Sequence, residues 1–179
     1  MVSPACDSDA DTGVLNDRSV VYESTVMPAS IDRNLHANNA FYVYEANFSR
    51  RYALTRLGVW RVLHSNGVNV IVQSQAIRYR RDLKLFDRFR VSTRFVGFDE
   101  TSFFIETRFI DRNGFICTIS FVKYKIIGVS GRKVVTTPSQ VLIEAGVIEK
   151  CFRPPSNSFI NHWQMADACN SKELNPNKL

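Results

Sequence analysis

The sequence predicts an α+β domain in which one long buried helix is wrapped by a curled antiparallel sheet. Between Asn38 and Gly67 the apolar residues recur at helical spacing, and no proline interrupts them. After Gly67 their period changes to two, which is typical of strands. The connections between these strands are too short for crossover helices, so we expect the strands to be antiparallel.

The chain divides into an N-terminal segment over 1–18, a domain over 19–150 and a C-terminal extension over 151–179. The first segment is rich in Ser, Asp and Ala and has little to bury, which predicts flexibility. The domain opens with a strand from Ser19 to Met27, rich in β-branched residues, which Pro28 ends. A polar loop leads from this strand to the helix.

The helix is expected to start near Asn38, a residue type that caps helices well. Its apolar sector covers more than half of its circumference, so we expect enclosure on more than one side. Gly58 is expected to bend or end it. The charged residues fall between the apolar positions, and Glu45 is expected to face solvent. These residues are Glu45, Arg50, Arg51 and Arg56.

Four strand-like runs follow Gly67 and predict an antiparallel meander. Asn113–Gly114, between the last two runs, is a strong hairpin signal. A short helix from Ser139 to Ala145 follows the strands. Such a sheet has uncovered edges, which commonly pair with a second copy, so we expect a homodimer or homotetramer.

The composition of the chain argues against several classes of protein. The 45% hydrophobic content excludes a disordered chain, and the formal net charge of +6 indicates an anionic partner. Lys and Arg never run longer than two, and no glycine-rich aromatic strand motif occurs, so a nucleic-acid partner is not expected. No apolar run approaches the roughly 20 residues that cross a bilayer, so no membrane span is expected in this chain.

The four cysteines and three histidines show neither disulfide nor metal-ligand spacing. We therefore expect reduced thiols in the cytoplasm, and neither metal nor cofactor. If the natural protein carries a membrane anchor, it is absent from this chain. The residues concerned are Cys6, Cys117, Cys151, Cys169, His36, His64 and His162.

One polar cluster precedes the helix. Asp32, Asn34 and His36 alternate, so in an extended loop they would converge beside the free N–H groups of the helix start, those of Asn39 and Ala40. A carboxylate can act as base or nucleophile, while amide, imidazole and backbone N–H groups can stabilise an oxyanion. The same residue types also cap turns and support loops, and the residues alone leave both interpretations open.

The segment DRNLHANNAFY resembles the D-x-N-x-H-x-N-N-x-x-Y signature of hot-dog-fold thioesterases, as carried by the plant fatty acyl-ACP thioesterases. The resemblance implies that Asp32, Asn34 and His36 are catalytic. In that family a catalytic Glu follows a Y-R-R motif. Here Tyr79-Arg80-Arg81 is followed by Asp82, so the resemblance implies Asp82 as a further catalytic residue, with a side chain that is one methylene shorter.

Over about residues 20 to 165 the chain is similar to the animal thioesterase superfamily member six group, through LHANNAFYVYEANFSR, YRRDLKLFDRFRVSTRFVGFDE, FFIETRF, GFICTISF and HWQ. This resemblance implies a hot-dog fold and hydrolysis of acyl-CoA or acyl-carrier-protein thioesters. The expected substrate contacts are Asn38, Asn39, Ala40, Tyr79, Arg80 and Arg81.

Strand alternation places Arg78 and Arg80 on one face and Arg81 on the other. The arginines of one face would therefore either contact phosphate or only form a solvated sheet surface, and both interpretations stay open. A second hypothesis for the whole chain is a catalytically weak acyl-CoA or lipid binder of the same fold. The intact set of Asp32, Asn34 and His36 favours the enzyme.

Overall fold

The computed structural model describes residues 18–129, 133–149 and 158–173. The predicted N-terminal segment, apart from Arg18, and much of the C-terminal extension lie outside the described residues. The strands and helices in the described residues are β1 (Val20–Thr25), α1 (Asn39–Arg56), α2 (Val59–Ser65), β2 (Val68–Tyr79), β3 (Arg88–Phe98), β4 (Ser102–Asp111), β5 (Ile116–Gly128), α3 (Pro138–Glu144) and α4 (Ser158–Glu173).

The five strands form one antiparallel sheet in the order β1-β3-β4-β5-β2. The helix α1 packs across one face, which confirms the α+β architecture. The meander is correct only for β3 to β5, because β2 pairs with β5 rather than with β3, in a register that runs from Val68 opposite Gly128 to Tyr79 opposite Thr118. The connection over 80–87 therefore crosses the end of the sheet.

Helix α1 follows the predicted span closely. Asn38 caps it by accepting the Ala40 N–H at 2.9 Å, and Gly58, with φ of +72°, separates it from α2. A left-handed residue cannot continue a helix, and glycine adopts this conformation without steric cost. The buried face of α1 comprises Tyr42, Ala46, Ser49, Arg50, Ala53 and Leu54.

One feature of α1 was not predicted, and one expectation for this helix is wrong. Arg50 lies on the buried face, 2% exposed, where its Nε donates to the Tyr124 hydroxyl at 3.3 Å. Glu45 is half-buried, because its carboxylate accepts a hydrogen bond from the Tyr22 hydroxyl at 2.7 Å. Within the described residues the sheet covers only one side of the helix, and the opposite side leaves large side chains exposed, namely Val43, Tyr44, Phe48 and Tyr52.

The core between α1 and the sheet consists of two apolar clusters with hydroxyl groups between them. Ser49 of α1 bonds Thr93 of β3, and Thr93 bonds Thr107 of β4 at 3.1 Å. Because each hydroxyl finds a partner, the polar row is tolerated in the interior. The cluster under the first turns of α1 contains Phe89 and Phe109, and it supports the candidate site.

Candidate functional site

The loop that carries Asp32 is a tight turn, so the expected extended conformation is wrong. Ile31 and Ala37 form an antiparallel bridge. The Asp32 N–H donates to the His36 carbonyl at 3.0 Å, and the Leu35 N–H donates to the Asp32 carbonyl at 3.1 Å. These bonds fold the chain back on itself, and Leu35 takes a positive φ of 63° at the tip.

The turn nevertheless brings Asp32 and His36 together. Oδ1 of Asp32 lies 3.6 Å from Nδ1 of His36, and the two side chains remain 25% and 35% exposed, so solvent reaches part of each. Asn34 is placed differently. Its backbone N–H donates to Asp32 Oδ1 at 2.8 Å, but its side chain contacts neither residue in the part of the chain that the structure describes.

The start of α1 lies directly after this turn. The Asn38 N–H donates to the Ser30 carbonyl at 2.9 Å, which ties the cap to the chain before the turn. The Ala40 N–H is occupied by the Asn38 side chain, so one of the two amides expected to hold an oxyanion already has an acceptor. The Asn39 N–H has no acceptor among the described residues and is the better donor.

Two tyrosines join α1 to the connection after β2. The Tyr79 hydroxyl donates to the Asn39 carbonyl at 3.3 Å, and the Tyr42 hydroxyl accepts the Leu83 N–H at 3.1 Å. Burial raises the pKa of Tyr42 to about 12, so it stays protonated at neutral pH. The Leu83 carbonyl accepts the Ala37 N–H at 2.8 Å. Tyr79 therefore lies beside the start of α1, next to the candidate site.

Asp82 is exposed and adjoins Leu83, at the same end of the sheet as Asp32.

The alternation expected for Arg80 and Arg81 is wrong. Strand β2 ends at Tyr79, and the backbone N–H groups of both arginines donate to the Cys117 carbonyl, at 2.8 and 3.1 Å. Both guanidinium groups therefore lie over one ring, that of Phe115, at 4.7 and 3.7 Å from its centroid.

Arg81 also pairs with Asp111 at 3.3 Å, so its charge is already matched by a carboxylate. Arg78 is exposed on β2. Both tryptophans lie outside the site and pack against other rings. Trp163 of α4 contacts Phe104 with ring centroids 6.1 Å apart, and Trp60 contacts His64 at 5.9 Å.

Sequence reasoning missed an open cleft of about 460 Å³ at this end of the sheet, which we call the arginine cleft. Its lining comes from three strands and a turn, so no contiguous motif marks it. The only sequence signal is the alternation of Arg88 and Arg90 around a buried Phe89. The lining residues are Glu23, Arg88, Phe89, Arg90, Asp111 and Arg112.

The described residues contain no cluster of His, Cys, Asp or Glu that could hold a metal ion. Cys117 is buried, and burial raises the pKa of its thiol, which makes it a poor nucleophile at neutral pH. No helix among the described residues is long and apolar enough to cross a membrane.

Comparison with known proteins shows to which family the chain belongs. A model of the thioesterase-like superfamily matches residues 26–144. The protein THEM6 of Danio rerio is 33% identical over 155 residues, which cover 86% of this chain and 73% of that protein. The predicted similarity to the thioesterase superfamily member six group is thus confirmed.

Solved structures confirm the fold. The probable thioesterase YbaW from Escherichia coli superposes with a TM-score of 0.64 at 17% identity, covering 71% of this chain and 96% of that chain. The protein SAV2348 from Staphylococcus aureus, solved in complex with CoA, gives a TM-score of 0.60 at 16% identity, covering 77% of this chain and 90% of that chain. The chain has the hot-dog fold and belongs to the thioesterase-like superfamily.

Proposed function

We propose that this protein hydrolyses acyl thioesters, with acyl-CoA or an acyl-carrier-protein as substrate and Asp32 as the base or nucleophile. The observation that carries the proposal is a solvent-accessible carboxylate, 3.6 Å from an imidazole, in the turn immediately before the N-terminus of a half-enclosed helix. Family membership supports thioester hydrolysis in general, and the residues of this turn supply the groups that such a reaction needs.

In the base mechanism, the Asp32 carboxylate takes a proton from water while the resulting hydroxide adds to the thioester carbonyl. The carbonyl oxygen becomes an oxyanion, and the tetrahedral intermediate then expels the sulfur. The proton held by Asp32 passes to the departing thiolate, giving a free acid and a thiol. In the nucleophilic alternative, Asp32 adds to the carbonyl and the C–S bond breaks, which leaves an anhydride and a thiolate. Water then hydrolyses the anhydride, which frees the acid, regenerates the Asp32 carboxylate and supplies the proton for the thiolate.

The oxyanion needs donors that are in place before the reaction. The Asn39 N–H at the start of α1 is one, and the helix dipole adds partial positive charge there. We assign His36 as a second donor. Asn34 is a third, because rotation of its exposed side chain would bring its amide within reach of the oxyanion. Asn38 orients this helix start, and Tyr79 holds it from the opposite side through the Asn39 carbonyl.

Asp82 is the second carboxylate near the site, and we assign it an auxiliary role in positioning water. Its counterpart in the family signature is a Glu, whose longer side chain would reach further than Asp82 does. Arg80, stacked on Phe115, is the better phosphate contact of the adjacent pair because Arg81 is paired with Asp111.

A catalytically weak acyl-CoA or lipid binder of the same fold is the second candidate. The observation that favours it is the turn itself, in which Asp32 acts as a cap for the Asn34 N–H. A capping carboxylate needs no catalytic role. Binding without turnover would keep the helix start and the basic groups while leaving the thioester intact.

Release of free thiol separates the two candidates. We expect the purified chain to release CoA from at least one member of a panel of acyl-CoAs with different chain lengths, measured with a thiol-reactive dye. Acyl-carrier-protein substrates tested in parallel report which thiol carrier is preferred. Saturable acyl-CoA binding with no thiol release from any substrate would establish the binder instead.

We also propose that the protein is a homodimer or a larger homo-oligomer that pairs through β2. This strand is an edge of the sheet and exposes Ile71 by 45% and Val72 by 46%. An apolar, unprotected edge strand is a template for pairing with another chain.

Sedimentation tests this assembly. The wild type should sediment well above the 20.4 kDa of one chain, and Ile71→Lys should shift it toward the monomer by placing a charge in the interface. Val21→Lys is the matched control, since Val21 is 47% exposed on β1 at the other edge. A monomeric wild type, or equal effects of both lysines, would contradict pairing through β2.

A cytoplasmic location remains our proposal for the compartment. Its support is that Cys117 and Cys169 are both free thiols, as is usual for proteins of reducing compartments.

A further inference from the structure

The arginine cleft presents positive charge on the outer face of the sheet. Arg88 and Arg90 alternate with Phe89 and Val91, whose side chains are buried toward α1, so the two arginines point away from the helix. Arg90 lies opposite Glu23 of β1 in the sheet register. Arg112, in the turn after β4, completes the basic lining.

The acidic residues of the cleft do not neutralise these arginines. Oδ1 of Asp111 accepts the N–H groups of Asn113 and Phe115 at 2.9 and 2.8 Å, and its Oδ2 pairs with Arg81. Its charge is therefore already compensated. Glu23 is the remaining carboxylate of the lining.

Within the described residues, Arg88, Arg90 and Arg112 form no ion pair. Three guanidinium groups thus share a single open cleft with two carboxylates, and only the charge of Asp111 is already compensated from outside the cleft. Like charges held this close repel one another unless an anion joins them.

The cleft is joined to the candidate site by a short piece of chain. Lys84 forms a backbone bridge with His36, and the Asp87 carbonyl, one residue before Arg88, accepts the Val26 N–H at 3.0 Å. Phe89, at the base of the cleft, contacts Phe41 in the first turn of α1 with ring centroids 5.8 Å apart. The 84–88 segment and the contact between Phe89 and Phe41 thus link the cleft to the turn at Asp32 and the start of α1.

We propose that the arginine cleft binds phosphate groups, and specifically those of the thiol carrier of the substrate, while the acyl end lies at Asp32. The assignment to a substrate rests on the proposed function. Arginine forks bind phosphate oxygens in pairs, which gives both attraction and orientation. The open shape and charged lining do not fit an acyl chain, which needs an apolar enclosure.

Binding of CoA without an acyl group tests the cleft independently of turnover. By calorimetry at low salt, the double variant Arg88→Gln with Arg90→Gln should bind CoA at least about tenfold more weakly than the wild type, since two charge-assisted contacts are lost. Arg51→Gln is the matched control, because Arg51 is an exposed arginine on α1 away from the cleft. Equal CoA affinity in the wild type and the double variant would overturn the proposal.

Kinetics distinguish failure of the cleft from failure of the function. The double variant should raise KM for an acyl-CoA with little change in kcat, and it should leave hydrolysis of the matching acyl-pantetheine, which has no phosphate, unchanged. If the wild type hydrolyses neither compound, the proposed function fails while the calorimetry still decides the cleft. If it hydrolyses both and the double variant matches it, only the cleft proposal fails.

The phosphate could also belong to a lipid headgroup, and vesicles separate this source. Wild type and double variant are compared for co-sedimentation with anionic phosphatidylserine vesicles and with zwitterionic phosphatidylcholine vesicles, which have no net charge. We expect no difference between the two proteins on either surface. If the double variant loses binding to the anionic vesicles but retains CoA affinity, the ligand is a membrane surface and the assignment to the thiol carrier is overturned.

Discussion

Replacing Asp32 with Asn should lower kcat for acyl-thioester hydrolysis by a factor of about 10² to 10⁴, the usual cost of losing a general base. The amide has the size of the carboxylate but does not take a proton from water at neutral pH. Its oxygen can still accept the Asn34 N–H, which the carboxylate accepts at 2.8 Å, so the turn should persist. KM should change little, because the acyl chain and the phosphates contact other groups.

Asp99→Asn is the matched control, since Asp99 also caps a turn by accepting the N–H two residues ahead, that of Thr101, at 2.9 Å. It lies in the β3–β4 turn at the opposite end of the sheet and should retain wild-type kcat. His36→Ala should reduce kcat less than Asp32→Asn, because backbone amides would still hold part of the oxyanion. A folded Asp32→Asn protein with wild-type turnover would show that Asp32 only caps the turn.

Phe109→Ala should lower the free energy of unfolding by about 3 to 5 kcal/mol, the usual cost of truncating a buried Phe. The ring is fully buried and packs edge-on against Tyr42 of α1, with centroids 5.3 Å apart. It therefore supports the helix turn that positions Asn39. The loss should appear in urea unfolding at a fixed protein concentration, because assembly would otherwise shift the midpoint.

Phe48→Ala on the outer side of α1 provides the comparison. Phe48 is 53% exposed, so its truncation removes little buried area and should cost much less than that of Phe109. A similar loss for both variants would mean that the outer side of α1 is covered in the assembled protein. A negligible loss for Phe109→Ala would contradict the packing described above.

The helix and the strands were predictable because their signals are local. Asn38 and Gly58 act on their own backbone, as a cap and as a left-handed stop, and each lies where the pattern predicted. The four strand-like runs after Gly67 likewise follow from alternation alone. The resemblance of several blocks between about residues 20 and 165 then identified the thioesterase superfamily member six group, which the comparisons confirm.

What could not be predicted depends on partners distant in sequence. Periodicity places Arg50 on α1, but it does not reveal that Tyr124 lies opposite to accept a hydrogen bond. The turn at Asp32 is closed by two backbone bonds that residue types do not encode, so alternation within it was misleading. The pairing of β2 with β5 was unpredictable for the same reason. The length of a connection alone does not determine which of two free edge strands β2 joins.

That strand order also bears on how the protein folds. The hairpins β3–β4 and β4–β5 join neighbouring segments, whereas the ladder between β2 and β5 joins residues as far apart as Val68 and Gly128. Closing larger loops costs more chain entropy before any contact compensates it, so the outer strands are expected to join a preformed central hairpin pair. The turn at Asp32 depends on the connection that follows β2, through the bond between Ala37 and Leu83. The proposed catalytic residues would then come together only at the final stage of folding, so a partly folded chain would have a core but no active site.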